Sequence, residues 1–347
     1  MALPYSAVRT SRGLLRKCAK ECSAPTSWAW KSGTAYSAAF PTAVFKMGYI
    51  KPRAFSTSLP LREPPPTEPT LDGSQKSRKE PVPRSAYPDF SLQDKVYVVT
   101  GGGRGLGLVI AEAMVQAGAE VHCLDRLVDP DPEFIASQEW SKEQQHKGEL
   151  HYHHVDVRDM NMLNETVASI AERQGQINGL VAAAGVQQIK EAVSYTCVDV
   201  TEMLDINYTG VFMSANAVAR QMMRFESPGS IVLVASMSGV IANKGLNSPV
   251  YNSSKAAVIQ LSRNLAMEWG KLGIRVNSLC PGHIVTPMVK KNFEEVPGLR
   301  ETWEQENMLN RLATPEEFTG ATIFMLSDAS SFMTGGHLII DGGHTAW

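Results

Sequence analysis

From Asp94 onward the chain alternates between two hydrophobic periods. Short, β-rich apolar runs recur at Val96 to Val99, Glu120 to Leu124, Leu150 to Val155, Ile177 to Ala183, Ser230 to Ala235, Arg275 to Leu279 and His337 to Ile340. Between them lie longer stretches with apolar residues every three or four positions, among them apolar-faced helices over 199–225 and 250–272. Seven strands interleaved with helices predict an α/β fold with a doubly wound parallel sheet. Runs such as Ile231-Val232-Leu233-Val234 carry no polar alternation, so the sheet is expected to be covered on both faces. No composition break or fixed-period repeat interrupts 91–347, which reads as a single domain.

The first ninety residues follow neither period. Arg9, Arg12, Arg16 and Lys20 would form a cationic stripe on a helix, and residues 1–55 hold nine Lys or Arg against the single acid Glu21. An Arg-rich, Ser/Ala-rich, acid-poor head is the composition of a mitochondrial transit peptide, with cleavage expected near Phe55 and the matrix as destination. Residues 56–90, with Pro64-Pro65-Pro66 at their centre, are too poor in apolar residues to build a core and read as a disordered linker.

Removing that head changes the charge picture. The whole chain is nearly balanced at −2, but the remainder holds 24 basic and 34 acidic residues, about −10. A body that acidic argues against nucleic acid as a partner, because phosphates require basic patches. No window approaches eighteen uninterrupted apolar residues, so no membrane insertion is expected. Five cysteines, an odd number without a framework spacing, indicate a reducing compartment.

Chemistry begins directly after the first strand. Gly101, Gly102 and Gly103 are followed by Arg104, Gly105, Leu106 and Gly107, and then by the helix-forming run Leu108 to Ala117. Strand, glycine turn and helix together are the context in which backbone approaches a pyrophosphate and free N–H groups meet its charge, as in Rossmann-type folds. Asp125 ends the second strand eighteen residues beyond Gly107, where its carboxylate would accept from adenosine ribose hydroxyls and repel a 2′-phosphate. NAD is therefore preferred over NADP, although Arg104 and Arg126 offer cations that leave NADP possible. Asp156 and Val157 follow the third strand as a wall for adenine, with Asp156 also a candidate helix N-cap.

The glycine spacing resembles that of the short-chain dehydrogenase/reductase family. Asn207 in Asp205-Ile206-Asn207, Ser236 at the end of the fifth strand, Tyr251 and Lys255 in Tyr-Asn-Ser-Ser-Lys, the segment Pro281 to Thr286, and Asp341-Gly342-Gly343 extend the resemblance over roughly 93–347. It implies a catalytic set of Ser236, Tyr251, Lys255 and Asn207. It also implies cofactor contacts from Ala183, Gly185, Tyr251, Lys255, Pro281, Gly282, Ile284 and Thr286. Hydride transfer to or from a carbinol carbon needs a proton moved at its oxygen, and a tyrosine of ordinary pKa near 10 is too weak a base unaided. Lys255, one helical turn on, would lower the Tyr251 pKa together with the oxidised nicotinamide. Ser236 would polarise the substrate oxygen, and Asn207 would hold a relay water. Ser238, thirteen residues before Tyr251 against fifteen for Ser236, is the alternative serine.

The chain departs from the family at Ala182-Ala183-Ala184-Gly185, where Asn-Asn-Ala-Gly is usual, and reduced stability is expected. His151, His153 and His154 alternate along one strand and cannot all face one ion, so no metal is expected. The Ser-Met-Ser-Gly turn and the Gly-Gly-His-Thr-Ala-Trp end resemble fungal polyol and ketose reductases of the D-arabinitol 2-dehydrogenase, sorbose reductase and L-xylulose reductase kinds. Asn243, Asn247 and His283 are candidate substrate contacts, and Val285 to Arg311, with Met288, Trp303 and Met308, a mobile lid. A small-molecule polyol or ketose is the expected substrate partner, and a homotetramer or homodimer the expected assembly. The alternatives are a mitochondrial 3-oxoacyl-carrier-protein reductase and a catalytically silent NAD-binding scaffold.

Overall fold

Seven strands line up in parallel in the order β3-β2-β1-β4-β5-β6-β7. They are β1 Val96–Thr100, β2 Glu120–Asp125, β3 Leu150–His154, β4 Gly179–Ala182, β5 Gly229–Val234, β6 Ile274–Pro281 and β7 His337–Ile340. The computed structural model describes residues 89–347 except 144–147, 287–288, 291–292 and 295, all within the unit Ser77–Trp347. The expected transit peptide, its expected cleavage point and the expected linker as far as residue 88 lie outside the described residues.

Strand residues alternate between two cores. In β1, Val96 and Val98 join the cluster on one face, while Tyr97 and Val99 join the other. The first face is covered by α3 (Met160–Gln174), α5 (Val211–Arg224) and α6 (Pro249–Trp269). The second is covered by α1 (Gly105–Gln116), α2 (Pro132–Glu143) and α8 (Thr319–Leu326). This is why the strands read as unbroken apolar runs. Leu180 in β4 is fully buried at the centre, and its truncation to Ala would cost about 2–5 kcal/mol.

The expected strands all form, with shifted ends. β4 starts at Gly179 rather than Ile177, because Asn178 spends its N–H on the Val96 carbonyl and its side-chain Oδ1 on the Val96 N–H. β6 runs on to Pro281, past the expected Leu279, held by β7 pairing at Cys280 and Pro281. The helix expected over 199–225 is interrupted: α4 (Cys197–Leu204) passes through a π-helical turn, Asp205–Gly210, before α5. Asp89 and Phe90, assigned to the linker, belong to the folded body. The Asp89 carbonyl accepts from Ala329 N–H, and Phe90 packs its ring 6.4 Å from Phe324.

The chain reverses its direction of winding between β1 and β4, and the loops after these two strands part to form a crevice at the carboxyl ends.

Candidate active site

The crevice is a cleft of about 680 Å³ walled by the loop after β1, the end of β2, the loop after β3 and the loop after β4. It gathers Gly101, Arg104, Gly105, Leu106, Gly107, Asp125, Asp156, Val157, Ala183, Gly185 and Thr286 in one place. Arg158, Val186 and Ile206 line it as well and were not anticipated from the sequence.

The glycines are dictated by close approach. Gly101 has φ +67, and a Cβ there would lie 2.7 Å from Ala184 Cα, so only glycine lets β1 and β4 close at this point. A Cβ on Gly107 would run into the Gly101 carbonyl oxygen. No side chain caps the N-terminus of α1, and its first-turn N–H groups face the cleft walled by Gly105, Leu106 and Gly107. An uncapped helix start beside a glycine cradle fits a pyrophosphate. Asp125 is held in place by the Gly103 N–H at 3.1 Å and the Leu127 N–H at 3.3 Å, with Arg104 and Arg126 on the same wall. A nicotinamide dinucleotide thus fits these residues.

Asp156 forms an ion pair of 2.6 Å with Arg158, whose hydrogen bonds hold its carboxyl below the usual range. The cap of α3 is not Asp156 but Asp159, which accepts from Asn161 and Met162 N–H, because only Asp159 directly precedes the first helical residue.

A smaller cleft of about 200 Å³ continues from the first, sharing Leu106, Ala183, Gly185, Val186 and Thr286 with it. Ser236, Ser238, Tyr251, Lys255, Pro281, Gly282, His283 and Ile284 meet here, with Gln187, Leu246 and Trp303, of which the first two were missed. Ser236 stands two residues beyond the last residue of β5, and its Oγ accepts the Ser238 N–H at 3.1 Å. Burial pushes the Tyr251 hydroxyl above its ordinary value, and a hydrogen bond with Ser236 pulls it partly back. Lys255 is buried, which lowers it to about 8, and its Nζ donates to the Val234 carbonyl at 2.9 Å. Its Nζ lies 5.7 Å from the Tyr251 ring centre.

Asn207 lies in the π turn, fully buried, and its amide bonds to the Val186 backbone and, at 3.2 Å, to Ser254 Oγ. A π turn of this kind is common at functional sites because it re-aims one side chain.

Two expected substrate contacts lie elsewhere. Asn243 Oδ1 accepts from Asn252 Nδ2 at 3.0 Å, and Asn247 is exposed. The turn closed by the Leu246 N–H to the Asn243 carbonyl places Leu246, between them, in the cleft instead. His283 does line it, stacked on Trp303 at 3.9 Å with planes 6° apart, and burial lowers its pKa to about 3. Trp303, on α7 (Leu299–Glu306), is buried with Leu246 and Leu312, whereas Met308 is largely exposed. The Ile284↔Ala313 bridge ties the two ends of this segment together. Met288 lies outside the described residues. Cys280 is buried and raised to about 11 by that burial.

The site can hold an alcohol or carbonyl oxygen against two hydroxyls and a buried amine, at the end of a dinucleotide cleft. The comparisons with known proteins agree with that class. A family model described as enoyl-(acyl carrier protein) reductase matches residues 101–345. A short-chain dehydrogenase/reductase of Aspergillus versicolor is 40% identical over 267 residues, 74% of this chain and 89% of that protein. The ribulose-forming D-arabinitol 2-dehydrogenase of Candida tropicalis is 33% identical over 269 residues, 75% of this chain and 95% of that protein. The crystal structure of a gluconate 5-dehydrogenase from Burkholderia cenocepacia, in complex with NADP and tartrate, superposes with a TM-score of 0.68 at 26% identity, covering 75% and 98% of the two chains. The chain belongs to the short-chain dehydrogenase/reductase family and is an oxidoreductase acting on alcohols or ketones with a nicotinamide cofactor.

Proposed function

We propose that the chain interconverts a secondary alcohol of a polyol and the matching ketose, using NAD. The observation that carries this reading is the convergence of Ser236, Tyr251 and Lys255 on the small cleft that opens from the dinucleotide cleft. Asp125 supports NAD, since its carboxylate faces the cleft where a 2′-phosphate would have to sit. The name of the Candida tropicalis relative supports a five-carbon polyol.

In the oxidative direction Tyr251 acts as the phenolate, favoured by the charge of Lys255: it takes the proton of the substrate hydroxyl and becomes the phenol, while the Ser236 hydroxyl donates to the same oxygen and holds the carbon in place. The cofactor, when bound along Gly101, Gly105 and Gly107 with its ribose on Asp125, supplies the hydride acceptor. Lys255, desolvated and fixed on the Val234 carbonyl, keeps a positive charge beside the phenol. Asn207 positions the loop carrying Gly185 and Val186. His283 and Trp303 give the cleft a flat apolar wall for the CH face of a sugar chain and a ring nitrogen for its hydroxyls.

A panel of pentitols, hexitols and ketoses assayed with NAD and NADP tests the proposal. NAD-dependent turnover of a polyol is expected, with kcat lowered at least about 100-fold in Tyr251→Phe while the dinucleotide still binds. No turnover on any polyol, or an unaffected Tyr251→Phe, would overturn it. The proposal extends to the mitochondrial matrix, supported by the Arg-rich head and tested by the location of a C-terminal fluorescent fusion. It extends also to a tetramer or dimer, supported by the exposed Met223 and Met267 on α5 and α6 and tested by light scattering.

A further inference from the structure

Far from both clefts, the first half of β2 faces β3 across a cluster of imidazoles. His122 stands opposite His151 in register, and Glu120 and His153 lie two residues away on the same face of their strands. Glu120 begins β2, His122 follows two residues on and Asp125 ends the strand, so the cluster lies roughly 10–16 Å from the cofactor cleft at about 3.3 Å per residue. The His122 side chain is 1% exposed. Its Nε2 lies 3.5 Å from Glu120 Oε1, and His151 Nε2 lies 3.1 Å from the same oxygen. Neither nitrogen makes an aligned hydrogen bond, and both are buried. Two orphaned ring nitrogens and a carboxylate oxygen lie within 4.8 Å of one another, the two rings stacked with centroids 4.6 Å apart and planes 17° apart, so that a turn of the partly exposed His151 ring would bring both lone pairs to one centre.

We propose that Glu120, His122 and His151 bind a divalent transition-metal ion of the zinc type. Two imidazoles and one carboxylate are a borderline donor set that suits zinc and disfavours magnesium, which prefers oxygen ligands in an octahedron. Ligand atoms about 2.0–2.2 Å from a tetrahedral ion stand about 3.4 Å apart, close to the separations seen here. The surroundings are prepared for that load. His122 Nδ1 lies 3.0 Å from His153 Nε2, a contact that, with Nδ1 as donor, leaves the His122 Nε2 lone pair free toward the centre. Gln174 Nε2, at the end of α3, donates to Glu120 Oε1 and orients the carboxylate. Glu120 and His151 are about 30% exposed, which leaves an entry path and room for a water in the fourth position.

The ion would cross-link β3, the outermost strand, to β2. The cluster escaped the sequence because His151, His153 and His154 do alternate on one strand, and the completing ligands come from its neighbour.

The test is equilibrium dialysis of the full chain against micromolar Zn²⁺, with bound metal counted by mass spectrometry, and Tm recorded with and without Zn²⁺. The wild type should hold one zinc that His151→Ala and Glu120→Gln each lose or bind at least about tenfold more weakly. Zn²⁺ should raise the Tm of wild type but not of those variants, and Mg²⁺ should not replace it. His283, Glu306 and His344 form another such group, beside the active site, so His344→Ala is the control. His154→Ala, altering the exposed histidine that ends β3, is a second control, and both should retain the zinc. Zinc binding unchanged in His151→Ala and Glu120→Gln, no zinc in wild type, or loss only in His344→Ala would overturn the proposal.

Discussion

Asn207 grips the backbone of Val186 at both of its polar atoms, accepting the N–H on Oδ1 and donating Nδ2 to the carbonyl, each at 2.9 Å. The loop after β4 is therefore fixed by a side chain from the π turn rather than by a neighbouring strand. Asn207→Ala would strand two largely enclosed backbone groups, at about 1–3 kcal/mol each when fully buried. Urea unfolding should show a loss of about 2–4 kcal/mol, and the KM for dinucleotide should rise. A variant within about 0.5 kcal/mol of wild type would refute the clamp.

Ser236 and Ser238 can be separated by function. Ser236 acts on the Tyr251 hydroxyl, pulling its pKa down, while Ser238 is joined to Ser236 through its backbone N–H. Ser236→Ala should lower kcat by about 100-fold or more, and Ser238→Ala by less than about tenfold. Steady-state kinetics on the best substrate of the panel decides, and the reverse order would move the role to Ser238.

Asp125→Asn removes the charge that disfavours a 2′-phosphate while Arg104 and Arg126 stay on the wall. The ratio of kcat/KM for NAD to that for NADP should fall at least about tenfold, or about 1.4 kcal/mol. An unchanged ratio would mean that Asp125 does not set the preference.

His283 makes stability depend on acid. Its folded-state pKa of about 3 lies below the ordinary 6.5, chiefly through burial, with His344 reinforcing and Asp341 opposing, and with Glu306 nearby. Between these values the unfolded chain binds one more proton than the folded chain. The contribution is complete above about pH 6.5 and is lost as pH falls toward 3, by up to about 1.4 kcal/mol per unit. His283→Phe, which keeps an aromatic ring against Trp303, should flatten the slope of unfolding free energy between pH 4 and 6 by about one proton. An identical slope would show that His283 is not responsible.

Thr100 Oγ1, at the end of β1, is buried without a hydrogen-bond partner, and Thr100 stands opposite Ala182 in register. Ala182 offers that hydroxyl no polar side chain. Thr100→Val replaces it with a methyl of the same shape and should raise stability by about 0.5–1.5 kcal/mol, read as a higher Tm. A lower Tm would mean that the hydroxyl has a partner in solution.

How much of this was legible depends on range. The strands were readable because both faces of the sheet are covered, and the glycine loop because its chemistry is local to one turn. Asp125 falls at a strand end, where the hydrophobic period places it, whereas Ser236, Tyr251 and Lys255 were picked out by their resemblance to the family's motifs. The ends of β4 and β6 were not readable, since Asn178 and Pro281 are held by partners remote in sequence. Asn243 and Leu246 were confused for the same reason: which residue of a turn looks inward is decided by what packs above it, here Trp303 and Leu312.

The contact between Gly101 and Ala184 has a consequence for how the chain becomes competent. A chain that has paired only β1, β2 and β3 already owns the glycine loop and Asp125, yet it has nothing to close the opposite wall. Affinity for a dinucleotide can arise only when β4 docks on β1, a pairing that closes a long loop. A ligand bound across that seam acts as a brace on the two halves of the molecule, and it should slow their separation more than it slows fraying at either outer edge.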